Sequence, residues 1–576
     1  MNQEILKKVE LWKAHVTKEE LKAIEEMSEK ELEDAFGMDI AFGTAGLRGI
    51  VGMGTNRMNE YIVRKTTVGF MNFMVNEYEN AKEKGCVIAY DCRRGSIEFS
   101  KAAAQVLATN GMKVYLFTAL RPTPELSFAV RHLKCAGGIM ITASHNPPQY
   151  NGYKVYDEFG GQVTDDKAGK VIACVNAISD FAMIKTISEE EAVNKGLLVY
   201  IGEDVDKAYI EKVKGLTIRK ELVAEKAKDL KIIYTPIHGS GNIPVRRVLS
   251  ELGYEGVKVV KEQEMPNGDF PTAPYPNPEM PQVFELALEM AKNETPDIIF
   301  GTDPDSDRIG VVVNLGNGEY KVLTGNQTGL LLTDYVLGAM KETGKLPSNG
   351  VVIKTIVTTE GAAKIAESYG VELMDVLTGF KYIGEKIHEF EVNKDKTYLF
   401  GFEESYGYLA GDFVRDKDAV IASMLIAEMT LYYKEKGLSL YEALIDLYKK
   451  HGFYKEELVS IELEGKEGQE KIASCIDSLR NNKLAGVNGV KVVTRYDYKL
   501  SIEDDCVNAQ EKKINLPKSN VLKYILEDGS SFVVRPSGTE PKMKIYTAVK
   551  GSSLENAEEL SKSFKETVVK LIESNM

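Results

Sequence analysis

One pattern returns three times between residues 86 and 436: short apolar runs alternate with amphipathic stretches, with few residues between them. In the first block Cys86–Tyr90 reads as a strand, Ser96–Thr109 as a helix with Ile97, Ala103, Ala104 and Leu107 on its apolar side, and Val114–Phe117 and Gly138–Thr142 as further strands. The second block has strands at Lys231–Tyr234, Val257–Val260 and Asp297–Phe300 and helices at Asn242–Leu252 and Pro281–Lys292. The third has helices at Gln327–Lys341, Gly361–Ser368 and Asp418–Lys436 and strands at Val351–Lys354 and Thr397–Phe400. Strand, helix and strand with short connections can close only as α/β units on a mostly parallel sheet. A chain of 576 residues exceeds one hydrophobic core, so about three to five domains are expected.

After His451 the runs shorten (Leu458–Ile461, Lys491–Val493, Ser531–Val534, Lys544–Tyr546) and end in a helix from Leu554 to Ser574, which reads as a smaller α+β domain. Residues 3–36 read as two amphipathic helices, with Leu6, Val9, Leu11, Trp12 and Val16 as the apolar face of the first and Thr17 with Glu20 as a capping box for the second. The expected division is a helical arm over 1–40, α/β domains over 41–205, 206–316 and 317–450, and an α+β domain over 451–576. Six prolines between Met265 and Pro281 predict an extended surface loop.

The formal net charge of −14 argues against a nucleic-acid backbone or an anionic membrane as the main partner, though a local basic pocket can still hold an anion. The six cysteines show no C-x-x-C spacing, which fits reduced thiols better than a disulfide framework or a zinc site. The N-terminus lacks the apolar core of a signal peptide, and no apolar run approaches the roughly 20 residues of a membrane helix. The expectation is a soluble cytoplasmic protein; its oligomeric state is left open.

The chemistry-bearing residues sit where strands end. Thr142-Ala143-Ser144-His145-Asn146-Pro147 follows an apolar run, so Ser144 is presented rather than buried. Ser144 is a candidate nucleophile or phosphate carrier; for a lone Ser-His pair, a polar loop capping a strand is the plainer reading. Asp303, Asp305 and Asp307 alternate on an extended segment, so their carboxylates share a side. Three like charges that close call for a cation, and all-oxygen ligands favour Mg²⁺, Mn²⁺ or Ca²⁺. An EF-hand starting at Asp303 is rejected because its sixth and twelfth positions hold Arg308 and Asn314. Gly401-Phe402-Glu403-Glu404-Ser405-Tyr406-Gly407 suits hydrogen bonding to sugar hydroxyls, and a solvated loop equally well. Lys417, in Arg415-Asp416-Lys417-Asp418, could serve as an acid or base in a crowded site. Arg535-Pro536-Ser537-Gly538-Thr539 offers a guanidinium, small hydroxyls and a glycine on a turn, a composition that cradles phosphate. Gly239-Ser240-Gly241-Asn242-Ile243-Pro244 misses the dinucleotide fingerprint, and no P-loop motif exists. His238 reads as structural.

Together and in this order, the Thr142–Pro147, Asp303–Arg308, Gly401–Ser405 and Arg535–Thr539 motifs resemble the α-D-phosphohexomutase superfamily of phosphoglucomutases and phosphomannomutases. The resemblance runs from about Phe42 to the C-terminus. It implies four domains, three of them similar mixed α/β units and the fourth a smaller α+β unit, around a central cleft. It implies a phosphosugar mutase in which phosphorylated Ser144 donates and accepts the phosphoryl group. Asp303, Asp305 and Asp307, with an oxygen on Ser144, would hold one Mg²⁺. Glu403 and Ser405 would contact sugar hydroxyls, and Arg535, Ser537, Gly538 and Thr539 would clamp the phosphate that is not transferred. Phe42–Gly49 is similar to the family's opening motif, which places Thr44 with the substrate contacts and Arg48 near the phosphoserine. Arg308 joins as an anion contact, and Thr378, Gly379 and Lys381 resemble a substrate loop. Lys417 matches a proton-transfer lysine, with His145 and Lys154 as the other candidates. The Glu-Glu-Ser-Tyr loop is closer to the glucose-type pattern, so the expected reaction interconverts glucose 1-phosphate and glucose 6-phosphate, with glucose 1,6-bisphosphate as intermediate and activator. Phosphopentomutase or dual glucose/mannose specificity is the alternative; a metal-dependent sugar phosphatase is the alternative of a different class.

Overall fold

The computed structural model of the protein describes residues 2–43, 46–178, 181, 184–316, 318–537 and 541–576. The three blocks fold as three separate mixed sheets. In the first, parallel strands Gly137–Ile141, Cys86–Tyr90, Val114–Phe117 and Leu198–Ile201 lie side by side. Tyr150–Asp157 then runs antiparallel beside Gly137–Ile141, and Leu47–Ile50 pairs with its outer edge. In the second, Val257–Val259, Ile232–Thr235 and Ile298–Thr302 are parallel, and Ile309–Gly316 returns antiparallel. In the third, Glu372–Val376, Gly350–Thr355 and Thr397–Glu403 are parallel, and Gly407–Ala410 returns antiparallel. In the second sheet Glu319–Val322 adds a further antiparallel strand beyond Ile309–Gly316. Each sheet thus turns from its parallel strands through one antiparallel hairpin, and those three hairpin loops are the ones the sequence singled out.

One return strand was not expected from the sequence: Tyr150 onward is a strand, buried from Asn151 to Asp157. Its Asn, Lys and Asp residues disguise it, because their partners lie elsewhere in the fold. Ile97, expected on an apolar face, is half exposed at the start of its helix. The arm has three helices, not two: Gln3–Lys13, Lys18–Glu25 and Glu29–Phe36. The capping box of Thr17 and Glu20 is present, and Ser28 with Glu31 makes a second one that starts the third helix. Val9 and Trp12 are buried, with Trp12 packed edge-on against Phe36 and Tyr61, but Leu6 and Leu11 are exposed. The last domain is one antiparallel sheet backed by the helices Gly465–Asn481 and Leu554–Glu573, of which the sequence reading anticipated only the second.

Helix Ala419–Glu435 ties the α/β units together. Every residue from Ala419 to Leu431 is buried, and it contacts elements of both the second and the third sheet. A helix apolar all round must be interior. Its one buried carboxylate, Glu428, accepts from the Ile218 and Arg219 N–H groups and the Tyr335 hydroxyl. Asp418 caps its N-terminus by accepting from the Ile421 N–H, and so fixes Lys417 just outside.

Candidate active site

Three tight loops meet at one point, each carrying a non-glycine residue in the left-handed region: Ser144 (φ 53°), Ser306 (φ 52°) and Tyr406 (φ 64°). Such residues cost on the order of 1–3 kcal/mol each unless surroundings hold them. Ser144 is held: its N–H donates to Thr142 Oγ1 (2.7 Å) and its carbonyl accepts from Arg93 Nη2 (2.6 Å). Its hydroxyl donates to Asp303 Oδ2 at 3.0 Å and lies 3.1 Å from His145 Nδ1.

Asp303, Asp305 and Asp307 are buried and bring carboxylate oxygens within 4.8 Å of one another. Asp305 accepts from Thr123 Oγ1 (2.8 Å) and Lys154 Nζ (2.8 Å). Asp307 Oδ2 meets Lys154 at 3.5 Å and Lys417 at 3.2 Å. Burial, then Asp305 and Asp307, push the Asp303 carboxyl well above the ordinary range. Burial would raise Asp305 too, but Lys154 and the Thr123 hydroxyl hold it far below. Asp305 Oδ1 and Asp307 Oδ1 are buried without a hydrogen-bond partner. Unpartnered acceptors in a crowded acidic cluster fit a hard divalent cation.

The near-miss glycine motif buttresses this loop instead of binding a dinucleotide. Ser240 donates both its N–H and its hydroxyl to the Pro304 carbonyl, and a Cβ at Gly241 would lie 2.5 Å from Thr302 Oγ1 and 2.7 Å from Ser306 Oγ. His238 bonds the Met265 carbonyl and the Thr272 hydroxyl, as a structural residue should.

Around the triad the charges are sorted. Lys417 packs its stem where Gly407 has no side chain; a Cβ there would sit 2.1 Å from Lys417 Cδ. Burial disfavours its charge, but Asp307 and Asp416 more than compensate and hold its pKa above the usual lysine value. Lys154 is held up in the same way by Asp305 and Asp307. His145 goes the other way: burial, with Arg308 and Arg48 nearby, holds its pKa well below the usual imidazole value. Arg48 donates to Asn146 Oδ1, and Arg308 pairs with Glu279 at 2.6 Å.

A cleft of about 630 Å³ opens from this point. Arg48, Ser144, His145, Lys154, Asp307, Arg308 and Lys417 line it, as do Thr378, Gly379, Lys381, Glu403 and Ser405. Ser405 donates to Glu403 Oε1, and Lys381 reaches Asp165 of the first domain at 2.6 Å. Burial and Glu403 push Glu404 up to about 7. From the last domain come Arg535 and Lys544, paired directly across adjacent strands. Burial and Arg535 push the Lys544 pKa down, as two facing cations should. Ser537 begins the turn, its N–H donating to the Lys542 carbonyl. Thr44, Gly538 and Thr539 lie outside the described residues. The sequence reading missed Asp91, Arg93, Thr123 and Glu279; only the charged run after the strand Cys86–Tyr90 could have flagged the first two.

Family models for phosphoglucomutase/phosphomannomutase match the chain in order: alpha/beta/alpha domain I over residues 39–181, domain II over 207–316, domain III over 324–451 and the C-terminal domain over 478–566. A phosphoglucomutase of Staphylococcus saprophyticus subsp. saprophyticus is 36% identical over 556 residues, covering 96% of this chain and 98% of its own length. A phosphoglucomutase of Staphylococcus haemolyticus is 36% identical over 529 residues, covering 92% and 93%. Two solved structures share the fold. Parafusin (a phosphoglucomutase) of Paramecium has a TM-score of 0.66 at 18% identity, covering 92% of this chain and 95% of that one. A phosphoglucomutase/phosphomannomutase family protein of Burkholderia thailandensis has a TM-score of 0.65 at 18% identity, covering 92% and 97%.

Proposed function

This chain belongs to the phosphoglucomutase/phosphomannomutase family and is a phosphosugar mutase of the isomerase class, and on that premise we propose that it interconverts glucose 1-phosphate and glucose 6-phosphate through phosphorylated Ser144. The observation that carries this reading is one cleft with two unlike walls: a serine hydroxyl on a buried acidic triad that keeps unpartnered carboxylate oxygens, and two facing cations from another domain. A phosphatase needs the first wall only.

Phosphorylated Ser144 gives its phosphoryl group to the free C6 hydroxyl of glucose 1-phosphate. The Ser144 Oγ–P bond breaks, the new sugar O–P bond forms, the C6 hydroxyl loses its proton while Ser144 Oγ gains one, and glucose 1,6-bisphosphate results. The sugar then presents its C1 phosphate to Ser144, which takes that group back and leaves glucose 6-phosphate. Asp303, Asp305 and Asp307, with an oxygen of the phosphorylated Ser144, would hold one Mg²⁺, which draws charge from the transferring group. Of the three proton-transfer candidates, His145 is the one held neutral, and it stands beside Ser144 Oγ, suited to exchange the serine's proton as the phosphoryl group leaves and returns. Lys154 and Lys417 are held charged, and with Arg48 and Arg308 they serve as fixed positive charges around the phosphoryl group. Glu403 and Ser405 bind sugar hydroxyls, while Thr378, Gly379 and Lys381 line the sugar's path. Arg535, Ser537, Gly538 and Thr539 grip the phosphate that is not transferred. Among the described residues no helix is long and apolar enough to cross a membrane, and sugar phosphates as substrates fit a cytoplasmic enzyme.

A coupled assay with glucose 1-phosphate, Mg²⁺ and a trace of the 1,6-bisphosphate tests the proposal. Glucose 6-phosphate should form faster than the products of parallel reactions with mannose 1-phosphate and ribose 1-phosphate. Release of inorganic phosphate without glucose 6-phosphate would overturn it.

A further inference from the structure

We infer that Arg93 is the positioning residue of the transfer: a single buried guanidinium that fixes Ser144 Oγ by holding the backbone of its loop. The inference rests on Ser144 as phosphoryl carrier. Arg93 is only 3% exposed and does not itself line the cleft. Its two terminal nitrogens donate to four backbone carbonyls of one loop. Nη2 serves Ser144 (2.6 Å) and Asn146, and Nη1 serves Pro147 and Tyr150 (both 2.9 Å). Three of them, those of Ser144, Asn146 and Pro147, lie in the turn before the strand Tyr150–Asp157, outside any ladder, so one rigid fork does there what a strand would do elsewhere.

The fork is itself fixed. Nε faces Asp91 Oδ2 at 3.4 Å, and the guanidinium lies over the Phe270 ring at 5.0 Å. Asp91 also accepts from Ser96 Oγ and Thr142 Oγ1, and Thr142 Oγ1 in turn accepts the Ser144 N–H. The Ser144 peptide is therefore gripped on both sides by one network that starts at Asp91. That grip is what maintains a serine at φ 53°, and φ decides where its Oγ points. Misplacing a reacting atom by about 1 Å costs on the order of 100-fold in rate. A lysine keeps the charge but is a point donor on a flexible stem, and cannot span four carbonyls.

The test is Arg93→Lys in the full chain, assayed beside wild type. We expect kcat to fall about 30- to 100-fold, with KM for glucose 1-phosphate within about threefold. Phosphorylation of Ser144 by glucose 1,6-bisphosphate, followed by intact mass, should slow by a similar factor. Near-normal kcat would overturn the inference, as would a raised KM at normal kcat. So would a loss that disappears at a lower assay temperature, since general packing would then account for it. Should Arg93→Lys not fold, Thr142→Val severs the other tether on the Ser144 backbone without stranding a buried charge. It must then show lowered kcat at unchanged KM, and a normal kcat in that variant overturns the inference. Wild type inactive as a mutase would instead sink the underlying reading, so the two failures are distinguishable.

Discussion

The two walls of the cleft are built to different standards. Around Ser144 the loops are mostly buried and bonded across domain boundaries: Ser144 to Asp303, Thr123 and Lys154 to Asp305, Lys417 to Asp307, and the Tyr156 hydroxyl to Asp416. Around Arg535 the residues are part-buried, and an ion cluster around the buried Lys354 and Lys523 joins their sheet to the third domain. Lys523, on the neighbouring strand, reaches Glu360 (2.6 Å) and the Ile356 carbonyl (3.0 Å) of the third domain, where Lys354 also meets Glu360 and Asp375. The contrast follows from the task. The atoms that exchange a bond need one geometry, which short buried bonds supply. On the proposed mechanism the Arg535 wall would accept the idle phosphate of either isomer, a task for cationic charge with slack instead of a fitted pocket.

If that contrast is right, the losses should divide by wall. The largest belongs to Ser144→Ala, which should lower kcat by at least on the order of 10⁴-fold in the coupled assay, with no phosphoryl group taken up from the bisphosphate. Asp307→Asn should lower kcat by about 10²- to 10³-fold and raise the Mg²⁺ concentration needed for half-maximal rate. On the other wall, Arg535→Ala should raise KM for glucose 1-phosphate by about 10- to 100-fold while kcat stays within a few-fold. Equal losses of kcat in the Asp307 and Arg535 variants would erase the distinction.

The smallest effect concerns the scaffold of the first wall. Burial pushes Asp418, the cap of the central helix, up to about 7, against the bonds it accepts from Ile421 and Tyr209. Its folded pKa then exceeds its unfolded value, so the native state binds the extra proton and stability falls as pH rises from about 4 to 7. Asp418→Asn removes that slope. Urea unfolding of both proteins should show the variant gaining on wild type by on the order of 2 kcal/mol from pH 4 to pH 7, with no further change above. A gap that stays constant with pH would leave Asp418 ionised when folded.

Much of the first wall was legible because each loop follows an apolar run and carries unusual chemistry: Ser144, the three aspartates, Glu403. What the sequence hid is the material that joins the loops. Tyr150–Asp157 does not alternate like a strand, since Lys154 is buried only because Asp305 and Asp307 of another domain receive it. For Arg93 the charged run after Cys86–Tyr90 marks the place but not the task, because its partners are backbone carbonyls brought near by folding. The helix Gly465–Asn481 was readable and overlooked: Ile472, Cys475, Ile476 and Leu479 keep helical spacing within a polar stretch. The third arm helix likewise announced itself through Ser28 and Glu31.

The most direct measurement follows the phosphoryl group itself. Purified protein, loaded with labelled phosphate from glucose 1,6-bisphosphate and mapped by mass spectrometry, should carry one phosphoryl group per chain, on Ser144. Addition of unlabelled glucose 1-phosphate should move the label into the sugar bisphosphate and glucose 6-phosphate pool, with none released to water. A label found on another residue, or freed as inorganic phosphate while Ser144 empties, would contradict Ser144 as the carrier of a mutase.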